Sequence, residues 1–420
     1  MTDQVEAPAT RGKIIASGII GNVMEWYDFA IYGYFAIVIG QTFFPSDDPS
    51  ISVIAAFGAF AAGFLARPLG GVLLGRLGDV VGRPQVLMIS IFMMAIPTMI
   101  MGLLPGHDHI GIAAPILVVL LRVIQGLSVG GEYTSSSVFL AEHAPQDKRG
   151  FLTSWSTWGA VAGILVGSGV GAIFTNVLTE EQITEWGWRI PFLMGGSIAV
   201  LGLWLRRGLK DTGPPEEGAA PVTSLVRDHL GPLGRIIGVN AGNGVAFYLV
   251  FVYSVTYMKE IDNLAGDVAF DLNTAAMFLM LLVMPISAWL SDRIGRKPLM
   301  LLGMGGVALG AIPCFVLMHS TDPMTIFAGE AILAVLVGIY SGPIAAANVE
   351  QLPHAVRCTG TAVSYNLAVG LFGGTTPMIA AWLIRSTGNE IAPAYYLLAF
   401  AIISFLAVIP YQERAKLPLD

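Results

Sequence analysis

Several ionisable side chains stand inside stretches that are otherwise apolar, and their types suit acid-base and ion-pairing chemistry. Glu25 and Asp28 lie three residues apart in the stretch that begins near Ile14, and Arg67 and Arg122 lie in the second and fourth stretches. A charge at bilayer depth costs about 2.5 to 3.5 kcal/mol on insertion scales, so each needs a reason to be kept. Spacing of three places Glu25 and Asp28 on one face of a helix, close to its middle. Two neighbouring carboxylates in a low-dielectric cavity are suited to binding and releasing protons near neutral pH. Arg122 can hold a carboxylate in two-pronged fashion or fix the charge of an acidic neighbour, and Arg67 can do the same. Static ion pairs that tie helices together are the competing reading. Glu132 lies two and a half turns beyond Arg122, too far to pair with it along one helix, and is a second candidate for carrying a proton. Glu330 is a weaker candidate near the end of its stretch.

Aromatic and amide side chains accompany these charges. Trp26, Tyr27, Trp155 and Trp158 bring rings onto the first and fifth helices, and Tyr248, Tyr253 and Tyr257 do so on the seventh. Ring faces in a cavity hold quaternary ammonium groups, although Trp and Tyr also gather at membrane interfaces and in packed cores. Asn240, Asn243 and Asn366 read as ligands or as polar ties between helices.

The elements that must position these residues follow from composition. Of 420 residues, 55% are hydrophobic and only 12% charged, a balance that belongs in lipid. Apolar stretches of about 20 residues, enough to span a bilayer core, recur along the chain. They predict helices near 14–40, 51–76, 85–104, 112–141, 152–176 and 190–206, then near 233–257, 272–291, 298–319, 323–349, 358–385 and 391–412. The polar segment between the sets contains Gly213, Pro214, Pro215, Glu216, Glu217 and Gly218. The expected organisation is a six-helix bundle over 1–206, a cytoplasmic linker over 207–231 and a second bundle over 232–420. The first helix has no small-residue cleavage site after it and is expected to be retained. With the amino terminus inside, 17 of the 22 Lys and Arg fall on cytoplasmic segments, so both termini are expected in the cytoplasm. Cys314 and Cys358 are not expected to form a disulfide.

The two sets of helices also repeat one another. Asp79-x-x-Gly82-Arg83 recurs as Asp292-x-x-Gly295-Arg296, and Glu142-x-x-Pro145-x-x-x-Arg149 recurs as Glu350-x-x-Pro353-x-x-x-Arg357. Each copy keeps its place within a six-helix unit. A parallel internal repeat of this kind puts a substrate site near midplane between the halves. Glycines at 163, 167 and 171, and again at 370 and 374, form G-x-x-x-G steps that permit close helix approach.

The segment Gly75-Arg76-Leu77-Gly78-Asp79-Val80-Val81-Gly82-Arg83-Pro84 resembles the loop signature of the major facilitator superfamily. It lacks the signature's final basic residue, and Ala288 replaces the opening glycine in the second copy. A narrower resemblance, to the metabolite:proton symporter family, rests on Gly21 to Phe29 (GNVMEWYDF), Arg67 to Gly71 (RPLGG), Gln125 to Tyr133 (QGLSVGGEY) and Trp186 to Phe192 (WGWRIPF). That family contains proline/glycine-betaine, ketoglutarate, citrate and shikimate carriers. Gly130 to Thr134, Thr376-Pro377 and Pro393 to Leu397 look most like the proline/glycine-betaine members.

The resemblance implies twelve transmembrane helices in two pseudo-symmetric bundles and alternating access driven by protons. It further implies a cytoplasmic gate built from Asp79, Arg83, Glu142, Arg149, Asp292, Arg296, Glu350 and Arg357. The expected protein is a proton symporter of the bacterial inner membrane, not an enzyme, that imports a zwitterion such as proline or glycine betaine. A carrier of organic acids and a non-transporting sensor on the same fold are the alternatives. The expected substrate contacts are Arg122, Arg67, Trp26, Tyr27, Trp155, Trp158, Tyr248, Asn243 and Asn366; the expected proton groups are Asp28, Glu25 and Glu132. Protons, a small solute and the bilayer are the expected partners, the working unit is a monomer, and no cofactor, metal or nucleic acid is expected.

Overall fold

The computed structural model describes residues 11–81, 83–129, 132–196 and 229–419. Among them every regular element is helical. The first half contains α1 (Arg11–Tyr34, resumed after Phe35 over Ala36–Phe43), α2 (Pro49–Val81) and α3 (Arg83–Leu103). It continues with α4 (Ala113–His143), α5 (Arg149–Val177) and the opening of α6 (189–196). The second half contains α7 (Leu230–Glu260), α8 (Gly266–Ile294), α9 (Arg296–Met318), α10 (Pro323–Glu350), α11 (His354–Thr387) and α12 (Ala392–Val408). Eight of these are long and apolar enough to cross a membrane, and α3 and α12 carry the shorter apolar helices Ile89–Leu103 and Ala392–Val408.

The molecule is apolar outside and charged within. Leu309 is 84% exposed and Leu69 65%, whereas Arg67 and Arg122 are 1% and 0% exposed. Only a lipid solvent makes that distribution favourable, because a belt of exposed leucines in water is penalised.

Helix ends depart from the apolar stretches where polar residues sit in terminal turns. The eighth helix was expected from 272 but starts at Gly266, since Asp267 and Asp271 occupy its first two turns. The first is interrupted at Phe35, and the second runs on to Val81. Two helices contain π turns, Tyr248–Tyr253 in α7 and Val369–Gly373 in α11. Each rotates the following side chains relative to a regular helix, a device common at working sites. Most of the expected linker lies outside the described residues, and residues 230–231 already belong to α7.

Within the first half α1 packs on α5 and α2 on α4; between the halves α5 packs on α8 and α2 on α11. The glycine steps serve both kinds of contact. Gly163 admits the backbone of α1 at Val23, whereas Gly171 lies against Phe270 and Gly374 against Phe64 across the two halves. A side chain at any of these positions would force the helices apart.

The halves meet at both faces. One face carries the start of α1 and the chain after α12, and is called the terminal face. At the opposite face Arg385 donates to Asp48 at 3.0 Å, and Phe270 packs edge-on against Tyr34 with centroids 5.6 Å apart.

Candidate functional site: a buried charge pair between two helical bundles

The two carboxylates of α1 take different partners. Three residues advance a helix by about 300°, leaving the side chains about 60° apart and able to address different neighbours. Glu25 accepts from Arg67 Nη2 at 2.6 Å. Asp28 turns into the first half, where it accepts from Thr98 Oγ1 at 2.5 Å, Gln125 Nε2 at 2.9 Å and Arg122 Nη2 at 3.4 Å. Both carboxylates are buried. The two acids of α1 thus stand in two separate ion pairs, an arrangement the sequence left open beside a coupled pair.

Arg67 is held on a bed of rings. Its guanidinium carbon lies 5.1 Å from the Trp26 centroid, 5.0 Å from Phe29 and 4.7 Å from Phe64. Its Nε and Nη1 are buried and have no hydrogen-bond partner among the described residues. Arg122 lies 4.4 Å from the Tyr32 ring and 5.8 Å from Phe29. Cation-π contact of this kind contributes about 0.5 to 2 kcal/mol and keeps both cations in place without further anions.

The Glu25–Arg67 pair borders a narrow cleft, closed too tightly here to hold a water molecule, whose other walls are Val129, Tyr133, Thr134, Tyr365 and Asn366. Tyr133 of the first half and Tyr365 of the second stack across it, centroids 4.5 Å apart and planes at 28°. Tyr133 exchanges a hydrogen bond with Thr157 at 2.9 Å, which fixes its ring. Trp26 meets Tyr133 edge to face at 6.4 Å.

The remaining expected contacts divide. Asn366 lines the cleft and donates to Ala362 O at 3.0 Å. Tyr248 packs on Phe60 and Phe64, close to the cleft, with a buried hydroxyl that has no hydrogen-bond partner among the described residues. Tyr27 donates to Pro191 O at 3.0 Å, so it faces α6 and not the cleft. Trp158 donates to Leu281 O across the halves at 3.2 Å and meets Trp155 edge to face. Asn243 accepts from Ser341 at 2.8 Å within the second half. The side chain of Glu132 lies outside the described residues.

At the terminal face the repeated loop residues form one charged network. Asp292 accepts from the backbone N–H of Gly150 at 2.7 Å and of Phe151 at 2.9 Å, capping the amino end of α5 from the other half, where the helix dipole favours an anion. Arg296 donates to Asp292 at 2.7 Å and to Glu350 at 3.1 Å, and Arg149 donates to Glu350 at 2.7 Å. Arg357 donates to Glu142 at 2.9 Å. The Asp79 and Arg83 side chains lie outside the described residues.

Sequence reasoning passed over Tyr133 and Tyr365, the stacked walls of the cleft, and Thr98, which shares Asp28. Tyr133 stood beside Glu132 in a quoted motif; nothing in the sequence singled out Tyr365 or Thr98.

Helices in two bundles, apolar outside and with ion pairs inside among the described residues, around a cleft walled by both halves, define a polytopic membrane carrier. The chain belongs to the Major Facilitator Superfamily, whose model matches residues 18–374 and 239–416. It is similar to the proline/betaine transporter of Escherichia coli (strain K12), 38% identical over 427 residues that cover 97% of this chain and 84% of that one. Similar too is the glycine betaine/proline/ectoine/pipecolic acid transporter of Dickeya dadantii (strain 3937), at 38% over 423 residues, with 97% and 84% covered. Among solved structures, the D-xylose-proton symporter has the same fold, with a TM-score of 0.75 at 19% identity over 97% of this chain and 99% of that one.

Proposed function

We propose that the protein is a proton-coupled symporter that imports a small zwitterion such as proline or glycine betaine by alternating access. One observation carries the choice of substrate class: the cleft presents one anion and one cation, Glu25 and Arg67, 2.6 Å apart. A zwitterion brings the complementary charges. Its carboxylate takes the Arg67 N–H groups that have no partner among the described residues, and its ammonium takes Glu25 and, once the halves part and Tyr133 and Tyr365 unstack, the ring faces they expose. A di- or tricarboxylate needs more than one cation, and the second, Arg122, is engaged by Asp28. The names of the two relatives given above support the same class.

Proton coupling is assigned to Asp28. Neutralising it removes the charge that ties α1 to α3 and α4, and α1 is the helix that carries Glu25. One helix thus links proton and solute. The charged network at the terminal face is assigned as the cytoplasmic gate, which places both termini inside and the opposite face outside, in a bacterial inner membrane. Two bundles, over 1–206 and 232–420, rock about the cleft on a linker at 207–231, and a monomer suffices.

The test is uptake into proteoliposomes under an imposed proton gradient, with proline and glycine betaine set against ketoglutarate, citrate and shikimate. Accumulation of the zwitterions supports the reading. Competition by the acids alone overturns it, and binding without uptake indicates a sensor.

A further inference from the structure

The outer part of the interface between the halves holds a carboxylate that no step above uses. Glu330, on α10, is fully buried, its Oε2 has no hydrogen-bond partner among the described residues, and no ion pair there includes it. Its Oε1 lies 3.0 Å from the side-chain amide of Asn273 on α8. That same amide end is 3.1 Å from the Ser254 hydroxyl and 3.2 Å from the Phe251 carbonyl, both of α7. The other end of the amide reaches into the first half, to Ser168 at 3.0 Å and Tyr34 at 3.2 Å. Asn273 is therefore the joint between Glu330 and the opposite bundle.

The amide orientation that satisfies its neighbours turns its nitrogen toward Glu330, Ser254 and Phe251 and its oxygen toward the hydroxyls of Ser168 and Tyr34. Glu330 then has that one amide donor, on Oε1, with nothing on Oε2 among the described residues. A single neutral donor does not compensate an ionised carboxylate sealed between the halves, and a proton on the carboxyl removes the large penalty of burying that charge.

The titratable groups on the elements packed around Glu330 are Tyr34 on α1, Tyr253 and Tyr257 on α7, Asp267 and Asp271 on α8, and Cys314 on α9. Asp271 is turned to Asn176 at 3.4 Å. Near the outer end of α7 stand Lys259 and Glu260, and α5 supplies only uncharged Ser168.

We propose that Glu330 is a proton site of the outer gate: closure of the halves over Asn273 takes up one proton from the outside, and opening returns it to the same side. Glu330 thus sets how readily the outer face closes but carries no proton across the membrane. The proposal rests on the transport reading only for which face is outside.

The test uses spin labels at Asn176→Cys and Asp271→Cys, an exposed pair that straddles the halves, with Cys314 and Cys358 replaced by Ala, in the purified full chain. The distance distribution is followed from about pH 5 to about pH 9. One proton taken up on closure makes the closed-to-open ratio fall about tenfold for each pH unit above the midpoint. Glu330→Gln should stay closed across the range, and the infrared band of a protonated carboxyl present in the closed parent should be lost in it. A ratio that ignores pH in the parent, or a titration that persists in Glu330→Gln, overturns the proposal. Neither readout needs uptake, so a failure of the symport reading leaves this result legible. An unchanged proton-to-solute ratio in Glu330→Gln is the further expectation; a lower ratio would make Glu330 a carrier of protons and overturn the gating role.

Discussion

Replacing Glu25 with Gln leaves Arg67 charged, buried and without its 2.6 Å partner. Breaking a buried pair from one side destabilises by about 3 to 5 kcal/mol, because the survivor is uncompensated. The rings of Trp26, Phe29 and Phe64 recover part of that, at about 0.5 to 2 kcal/mol for a desolvated cation. Arg67→Gln removes the cation that Glu25 faces at 2.6 Å and is likewise expected to destabilise. The double variant, Glu25→Gln with Arg67→Gln, buries two neutral amides and should regain most of the lost stability, since replacing a whole buried pair is close to neutral. Transport should not return with it. A carboxylate held by Arg67 gains about 1.5 to 3 kcal/mol per charge-assisted hydrogen bond, equivalent to about 10- to 150-fold in affinity. The assay pairs thermal unfolding of purified protein with gradient-driven proline uptake in proteoliposomes. If the double variant recovers stability and uptake together, the pair is only a structural tie and the substrate assignment fails.

Three further outcomes are expected. Asp28→Asn should abolish uphill accumulation while leaving exchange down a solute gradient; accumulation with an unchanged pH profile would remove Asp28 from the coupling step. Tyr365→Ala should raise KM about 10-fold by removing one ring face from the ammonium, whereas Tyr365→Phe should stay near the parent; equal effects from both would point to the hydroxyl instead. Outside the spans, burial pushes the Asp262 carboxyl up from 3.8 to about 6, against the pull of its hydrogen bond from His319. The folded protein then holds that proton where the unfolded chain has lost it, so Tm should fall as pH rises across 3.8 to about 6 and level off above. Asp262→Asn should remove that part of the slope, and a slope that survives the substitution would assign it to another group.

Much of the architecture was legible because lipid imposes a simple rule on sequence: a span must satisfy its own backbone and present apolar side chains outward. Hydropathy alone therefore gave the helices that the described residues form, the expected helix at 190–206 lying outside them beyond residue 196, and the doubled loop motifs gave the two halves. The same rule made the buried charges conspicuous, so Glu25, Asp28, Arg67 and Arg122 stood out at once. Boundaries were less legible, since Asp267 and Asp271 ride in the first turns of α8 as they would in a loop.

Sequence spacing could place Glu25 and Asp28 near one another, but not assign their partners, which depends on how α1 is rotated against α2, α3 and α4. Only packing decided that Glu25 takes Arg67 while Asp28 shares Arg122 with Thr98 and Gln125. The stack of Tyr133 on Tyr365 and the reach of Glu330 through Asn273 to Tyr34 join residues 232 or more positions apart or on different bundles. Local chemistry thus fixed which side chains had to be explained, and the contact between halves, which no local pattern encodes, fixed what each of them touches.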